Sequence, residues 1–518
     1  MKRHALRARD VQLYRLCEDA TEPLVYLMLV FGPWAFGTTQ SWSIWVMNGA
    51  GYLLGLLLAG KLAVRWFKGY RPPRWGERQR REVPSLESKV QSLEGRGRGR
   101  AGVTASGLTV ILAGLTVAIL GYCLVSAINA RATANPADQS FTYHDSYIHW
   151  LPHTFDSGRT WLAFWTYLGL ACSFWAVRDW LLGKTDDEAR VGHRQPQRGG
   201  GEPGLLLPAR LRRLLWVLAV NGGLLGLEGI VQRLEGSGNL LFLVKPRVNP
   251  SADTQFGPYA YRANASQYFN LLWPVCLGFW WMLNQSLGFR HKSYHLILAC
   301  CAIMAACPII STSRAGAMVT VGIVVLAAFF LAATHFLLTA RRQPDVKTRR
   351  ITLACLLVFF SGALALGFGL GWKTLKPRMA QLSEGFDVRE DMYEKARPMA
   401  TDYPLFGTGP GTFEPVFQLY LKSMDTYWPA QLHNDWLETR ITFGWLGSGL
   451  IALAFVVVVL RWFTRGGIHG GRRFIILIWL ALAGCLAHAR YDFPFQIHSI
   501  VFLFLVVCAI LINLTRRP

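Results

Sequence analysis

Charge is what this 518-residue chain has least of. Asp, Glu, Lys and Arg make up 16% of it, where soluble globular proteins carry roughly 25%. That excludes an ordinary soluble enzyme. Acidic residues are scarcer still, 31 against 54 Lys and Arg, for a net charge of +23. A balance this basic fits nucleic-acid binding in principle. Here, however, the cations gather in short loops that alternate along the chain, which is the positive-inside pattern and not a nucleic-acid face. No cysteine lies between Lys373 and Arg440, so no disulfide framework braces that long polar stretch. No Cys/His spacing matches a zinc site, and no metal or other cofactor is expected. The basic, polar N-terminus, with Lys2, Arg3, Arg7, Arg9 and Arg15, does not read as a cleavable signal peptide.

What fills the chain instead is apolar. Hydrophobic residues account for 52%, arranged in repeated blocks of roughly 17–25 residues, the length that crosses a bilayer as helix. The expected fold is all-α, a polytopic membrane bundle of about 12 transmembrane helices. Arg65 to Arg100 carries eleven Lys/Arg and is expected to be cytoplasmic; its SLESKVQSLEG segment reads as a solvated loop with a possible short surface helix. An even number of spans places both termini inside and every strongly basic loop on one side. The organisation expected is residues 1–370 as spans 1–9 with cytoplasmic basic loops, residues 371–440 as a large outer loop between spans 9 and 10, and residues 441–518 as spans 10–12.

The outer stretches hold the chemistry-bearing residues. FTYHDSYIHWLPHTFDSG contributes His144, His149 and His153, a set that reads as an interfacial aromatic belt before a metal cluster. Glu228 sits near the outer end of span five, where a carboxylate faces the bundle or a wet cavity. Arg262 lies just outside span six. Ser313-Arg314 forms a tight outer turn between spans seven and eight, and Arg314 is either a snorkelling interfacial cation or a ligand-binding one. Val388 to Ala400 reads as a helix ended by Pro398, with Arg389, Tyr393 and Ala396 on one face. PLFGTGPGTF follows, with Gly407, Gly409 and Gly411. It lacks the lysine of a P-loop; either it approaches a ligand closely or it bends the chain between two helices. His433 stands at the lip of span ten and can accept a proton near neutral pH. Asn434 or Asp435 can cap the helix that follows, and Gly444 and Gly447 can admit a neighbouring helix. His488 and Asp492 occupy a further outer turn and are assigned to structure before function.

His433-Asn434, nine residues and then Gly444-x-x-Gly447 resembles the signature of bacterial O-antigen ligases, Wzy-type polymerases and protein O-glycosyltransferases. PLFGTGPGTF, the Ser313-Arg314 turn, Arg389 ahead of the glycines and the layout of spans match in order and side. The resemblance runs from about Gln232 to the C-terminus. It implies an inverting, metal-independent transferase in the bacterial inner membrane, working at its periplasmic face. The donor implied is a glycan on undecaprenyl diphosphate; the acceptor favoured is the glycolipid lipid A-core, with a growing glycan or a protein as alternatives. It implies His433 as the residue that deprotonates or orients the acceptor hydroxyl. Arg314, Arg389 and Arg262 would hold the diphosphate through charge-assisted bonds. Asn434, Ser313, Gly409 and Gly411 would support them. Membrane lipid is the other expected partner, and nucleic acid is not one. A transporter without chemistry is the rival class; it calls for ionisable residues midway along several spans, and few are found.

Overall fold

The computed structural model describes residues 6–75, 105–135, 137, 140–194, 207–287, 293–339, 346–421, 430–463 and 471–514. SLESKVQSLEG, and most of the basic loops on its side, lie outside the described residues. The helices are α1 (Ala8–Trp34), α2 (Ser41–Phe67), α3 (Ala105–Ile128), α4 (Ser157–Leu182), α5 (Asp186–Arg194), α6 (Ala209–Glu235), α7 (Arg262–Leu287), α8 (His295–Ile310) and α9 (Arg314–Thr339). They continue with α10 (Val346–Ala380), α11 (Leu382–Asp402), α12 (Phe413–Phe417), α13 (Asp435–Phe463), α14 (Arg472–His488) and α15 (His498–Leu514). Each expected span falls on a helix. Seven of these, α2, α3, α4, α6, α9, α10 and α13, are long and apolar enough to cross a membrane, while α8 and α15 are apolar but shorter. The chain is a polytopic helical membrane protein.

The centre of the bundle is α7. Its sequence is apolar on every side, which suits a helix enclosed by others. Trp273, Trp280 and Trp281 are fully buried in it. It packs against α6, α8, α9, α14 and α15. Among its buried polar side chains Asn270 is bonded twice: its amide donates to the Gly316 carbonyl at 3.0 Å, and it accepts from Thr320 Oγ1 at 2.5 Å. This pins α7 to the first turns of α9, directly behind Arg314.

Two expectations need correction. The fold is not purely helical: Ala132–Asn135 (β1) and Ser140–Tyr143 (β2) pair as an antiparallel hairpin between α3 and α4. The stretch after residue 370 is also more ordered than a loop. Helix α10 continues through Pro377 to Ala380, and α11 runs past Pro398 to Asp402. Proline removes one N–H but does not stop a helix whose neighbouring turns are packed, and Ala396 and Met399 on either side are fully buried.

The end of the bundle that carries the basic loops is fastened by buried charge. Lys61, fully enclosed, bridges Glu18 at 3.0 Å and Asp179 at 3.1 Å. Arg210 pairs with Glu18, Arg74 with Asp179, and Arg65 reaches Asp179 at 3.0 Å. The network ties α1, α2, α4 and α6 to the loop at Arg74. Removing one partner leaves the opposite charges buried and uncompensated, at about 3–5 kcal/mol. Asp179→Ala is therefore expected to lower the unfolding midpoint of the detergent-solubilised protein by several degrees. An unchanged midpoint would show that the network contributes no stability.

Candidate active site

The Gly-rich turn and the break in α13 are built for each other. Helix α13 is interrupted at Gly444, whose φ of 59° and ψ of −168° belong to a region open essentially to glycine alone. A Cβ there would collide with the Leu405 carbonyl. The backbone groups freed by the break are taken up by the 404–409 segment. Thr408 N–H donates to Ile441 O at 2.9 Å and Gly409 N–H to Thr442 O at 3.0 Å; in return Trp445 N–H donates to Pro404 O at 2.9 Å. On its other flank the turn meets α4: Thr160 Oγ1 donates to Pro410 O at 2.9 Å, and a Cβ on Gly409 would strike Thr154. Gly409 and Gly411, at φ 110° and 78°, thus shape a tight bend, with Gly409 packed on Thr154. Gly444 breaks its helix where close helix–helix approach was expected; Gly447 does take a neighbour, Tyr122 of α3.

Upstream of that break, the N-terminus of α13 carries His433. Its backbone is left-handed, at φ 56°, a conformation that costs of order 1–3 kcal/mol in a non-glycine residue. Tyr393, buried on α11, holds it there by donating its hydroxyl to the His433 carbonyl at 2.8 Å. Asn434 is spent on the helix: its side-chain oxygen accepts Leu437 N–H at 3.2 Å, an N-cap. It therefore does not position the His433 ring. Glu438 reaches back to Leu432 N–H at 2.8 Å. Asp435, buried, fastens the α14–α15 turn, its N–H donating to Ala489 O at 2.9 Å and its carboxylate accepting Phe495 N–H at 2.7 Å.

That fastening puts Asp492 beside His433. His433 Nδ1 lies 3.0 Å from Asp492 Oδ1, with the histidine side chain 21% exposed and the aspartate 2%. Burial alone would raise the Asp492 carboxyl. The hydrogen bond and charge of His433, with the charges of Arg389 and His488, outweigh it and hold the carboxyl below its usual range. It is an ionised carboxylate at neutral pH. The assignment of Asp492 to structure alone is thus incomplete: it orients the histidine. Tyr261 completes the group, donating to Asp492 Oδ2 at 3.3 Å and stacking on Phe493, whose ring lies 4.8 Å from that of His433. Burial and the Asp492 charge both raise the Tyr261 phenol, so it stays a neutral donor.

The arginines meet around Tyr261. Arg389 donates to Tyr491 O at 2.5 Å. Arg314, just after the left-handed Thr312 (φ 60°), donates to Gln381 O at 2.7 Å over Gly385, where a side chain would displace it. Arg262 is held by Asp253. The charges of Arg389 and Arg262 both bear on Tyr261, and Arg314 feels Arg389 and Tyr261. A fourth cation, Arg378 at the end of α10, feels Arg262 and Arg314. It was not expected, because the stretch after residue 370 reads as loop. Ser313 caps α9 through Gly316 N–H at 3.2 Å. The three loop histidines do not gather into one cluster among the described residues, although His149 and His153 both lie against Tyr147. His144 bonds Thr133 and His153 bonds the Leu151 carbonyl, while the His149 ring lies 4.3 Å from that of Tyr147. Glu228 is half-buried, with its carboxylate oxygens enclosed next to Gly257 and neither hydrogen-bonded among the described residues.

Residues 299–452 match the family model described as O-antigen ligase. This segment resembles an O-antigen ligase domain. No curated protein matches the chain. The matched segment contains Ser313, Arg314, Arg378, Arg389, the Gly-rich turn, His433 and Asn434. Tyr261, Arg262 and Asp492 lie outside it and are delivered by the bundle. A family of this kind points to glycosyl transfer. Asp492→Asn should then lower the transfer rate by about 10²-fold or more, the scale of a lost acid–base group, while expression and melting behaviour persist. A rate within threefold of wild type would remove the His433–Asp492 pair from the chemistry.

Proposed function

We propose that the protein is an inverting glycosyltransferase of the bacterial inner membrane, moving a preassembled glycan from undecaprenyl diphosphate to a periplasmic acceptor, in the manner of an O-antigen ligase acting on lipid A-core. The observation that carries this reading is the pairing of His433 with a buried carboxylate at the edge of a cluster of arginines, within and around the segment that resembles an O-antigen ligase domain.

In this reading His433 Nδ1–H donates to Asp492, which leaves Nε2 as the basic nitrogen. The acceptor hydroxyl gives its proton to Nε2 as its oxygen bonds to the anomeric carbon. On the opposite face the bond from that carbon to the diphosphate oxygen breaks, and the electron pair leaves with undecaprenyl diphosphate. The developing negative charge falls to Arg314, Arg389, Arg262 and Arg378, whose guanidinium groups suit phosphate oxygens bidentately. A lipid diphosphate is already a good leaving group, so electrostatic stabilisation takes precedence over general-acid catalysis. Asp492 then stabilises the imidazolium. The reading sets the reaction at the periplasmic face, with both termini cytoplasmic and about twelve spans. Residues 1–370, 371–440 and 441–518 serve as spanning, loop and closing segments.

His433→Ala should abolish transfer from a purified lipid-linked donor with membrane insertion intact; full activity would refute the mechanism. Arg314→Ala and Arg389→Ala should each raise the donor KM about tenfold or more, and unchanged donor affinity in both would refute the diphosphate assignment. Deleting the gene separates the acceptors. Loss of all long chains from the surface glycolipid marks a ligase, and a single repeat left on the core marks a polymerase. Unaltered glycolipid with lost protein glycosylation marks a protein transferase.

A further inference from the structure

A second cationic neighbourhood adjoins His433 through Tyr393 and Asn434. A cavity of about 320 Å³ lies between α11, the start of α13 and the α14–α15 turn, with Tyr393, Arg397, Asn434, Trp436, Arg440 and Arg490 in its wall. That volume is at the lower end of the range for small-ligand sites, roughly 300–1,000 Å³. Two of its wall residues bind it to the site already described. Tyr393 holds the His433 carbonyl, and Asn434 is the next residue along the chain.

The charge of this cavity is largely uncompensated. Arg490 is exposed, its guanidinium 5.7 Å from the centre of the Tyr393 ring. Among the described residues its side chain has no carboxylate or hydrogen-bond partner. Arg440 donates to the Pro404 and Ala400 carbonyls at 2.9 and 3.4 Å, neutral groups that orient it without cancelling its charge. Arg397 alone is paired, with Glu390. Beside them Trp436 is 53% exposed, yet its ring is fixed by an indole N–H bond to Leu486 O at 3.1 Å. A fixed, open aromatic face next to guanidinium groups suits a sugar ring that carries an anionic substituent: the C–H face lies on the indole and the anion meets the arginines. These cations differ from those that bear on Tyr261, while Arg389 also bears on Tyr393 of the cavity wall, so the diphosphate cluster and this cavity adjoin across Tyr393.

We infer that this cavity is the acceptor subsite and that it takes an acceptor saccharide bearing phosphate or carboxylate groups, with Arg490 and Arg440 on the anion and Trp436 under the ring. The inference rests on the transferase reading. It means that the two substrates are anchored beside His433 by different arginines.

The test separates binding from turnover. In the His433→Ala background, reconstituted in nanodiscs of neutral phospholipid, binding of lipid A-core glycolipid and of undecaprenyl diphosphate is measured, alone and with Arg490→Gln or Trp436→Leu. Both substitutions should weaken glycolipid binding about tenfold and leave undecaprenyl diphosphate binding within twofold. Enzymatic dephosphorylation of the glycolipid should cost a similar factor against Arg490 and little against Arg490→Gln. In the active protein the same changes should raise the acceptor KM and leave the donor KM within twofold. Unaltered glycolipid binding in both variants overturns the inference. So does equal loss for phosphorylated and dephosphorylated glycolipid, or displacement of the glycolipid by phosphatidylglycerol at equal concentration, which would make the cavity a phospholipid site. If the wild-type protein transfers glycan to no acceptor, it is the transferase reading that fails.

Discussion

The tie between the start of α13 and the turn joining α14 to α15 holds the site together. Asp435 uses its backbone N–H and its carboxylate on Ala489 and Phe495, and only because of that does Asp492 arrive 3.0 Å from His433. Both bonds are buried, where an unmade partner is costly, so the turn cannot drift from the helix without exposing several polar groups to a dry environment. The strained backbone at His433 follows from the same tie. Its φ of 56° turns the ring toward Asp492 while Tyr393 retains the carbonyl. The strain is local and is offset by contacts from two other elements, a pattern found at sites where geometry is imposed and not relaxed.

A second constraint sets the shape of the surrounding surface. Helix α13 breaks at Gly444, and the 404–409 segment repairs the break with its own backbone. This seats α11 and the stretch that follows it against α13. Arg389 and Tyr393, one helical turn apart, are then presented together, the first toward Tyr491 and the second toward His433. The glycines act on the site through packing. They help place cations and an aromatic hydroxyl, an influence on position.

The charge pattern has a division of labour. At the basic-loop end, acid and base are interleaved and buried, Lys61 between Glu18 and Asp179, a fastening arrangement. Around His433 the cations outnumber the acids, and several spend their hydrogen bonds on neutral carbonyls. Such arginines keep their charge unneutralised, which suits an anionic ligand. The contrast between paired and unpaired arginines at the two ends of one bundle is what distinguishes a site from a clasp.

Much of this was legible in the linear chain. Apolar runs marked the helices, because only length and hydropathy are needed for that. His433, Arg314 and Arg389 stood out because each combines a polar, ionisable group with a turn or a helix lip. Asp492 was visible but unassignable. Its partner lies 59 positions away, and no periodicity links a turn after one helix to the cap of another. Tyr261 and Arg378 gave no signal either, since neither stands in a recognisable motif. The choice between a ligand cradle and a bend for the glycines was left open by composition, since positive φ serves both. Local sequence thus determined which segments are helices and which residues carry reactive groups, because those depend on near neighbours. Only the tertiary structure decided which of those groups share a site, because convergence depends on packing between elements far apart in the chain.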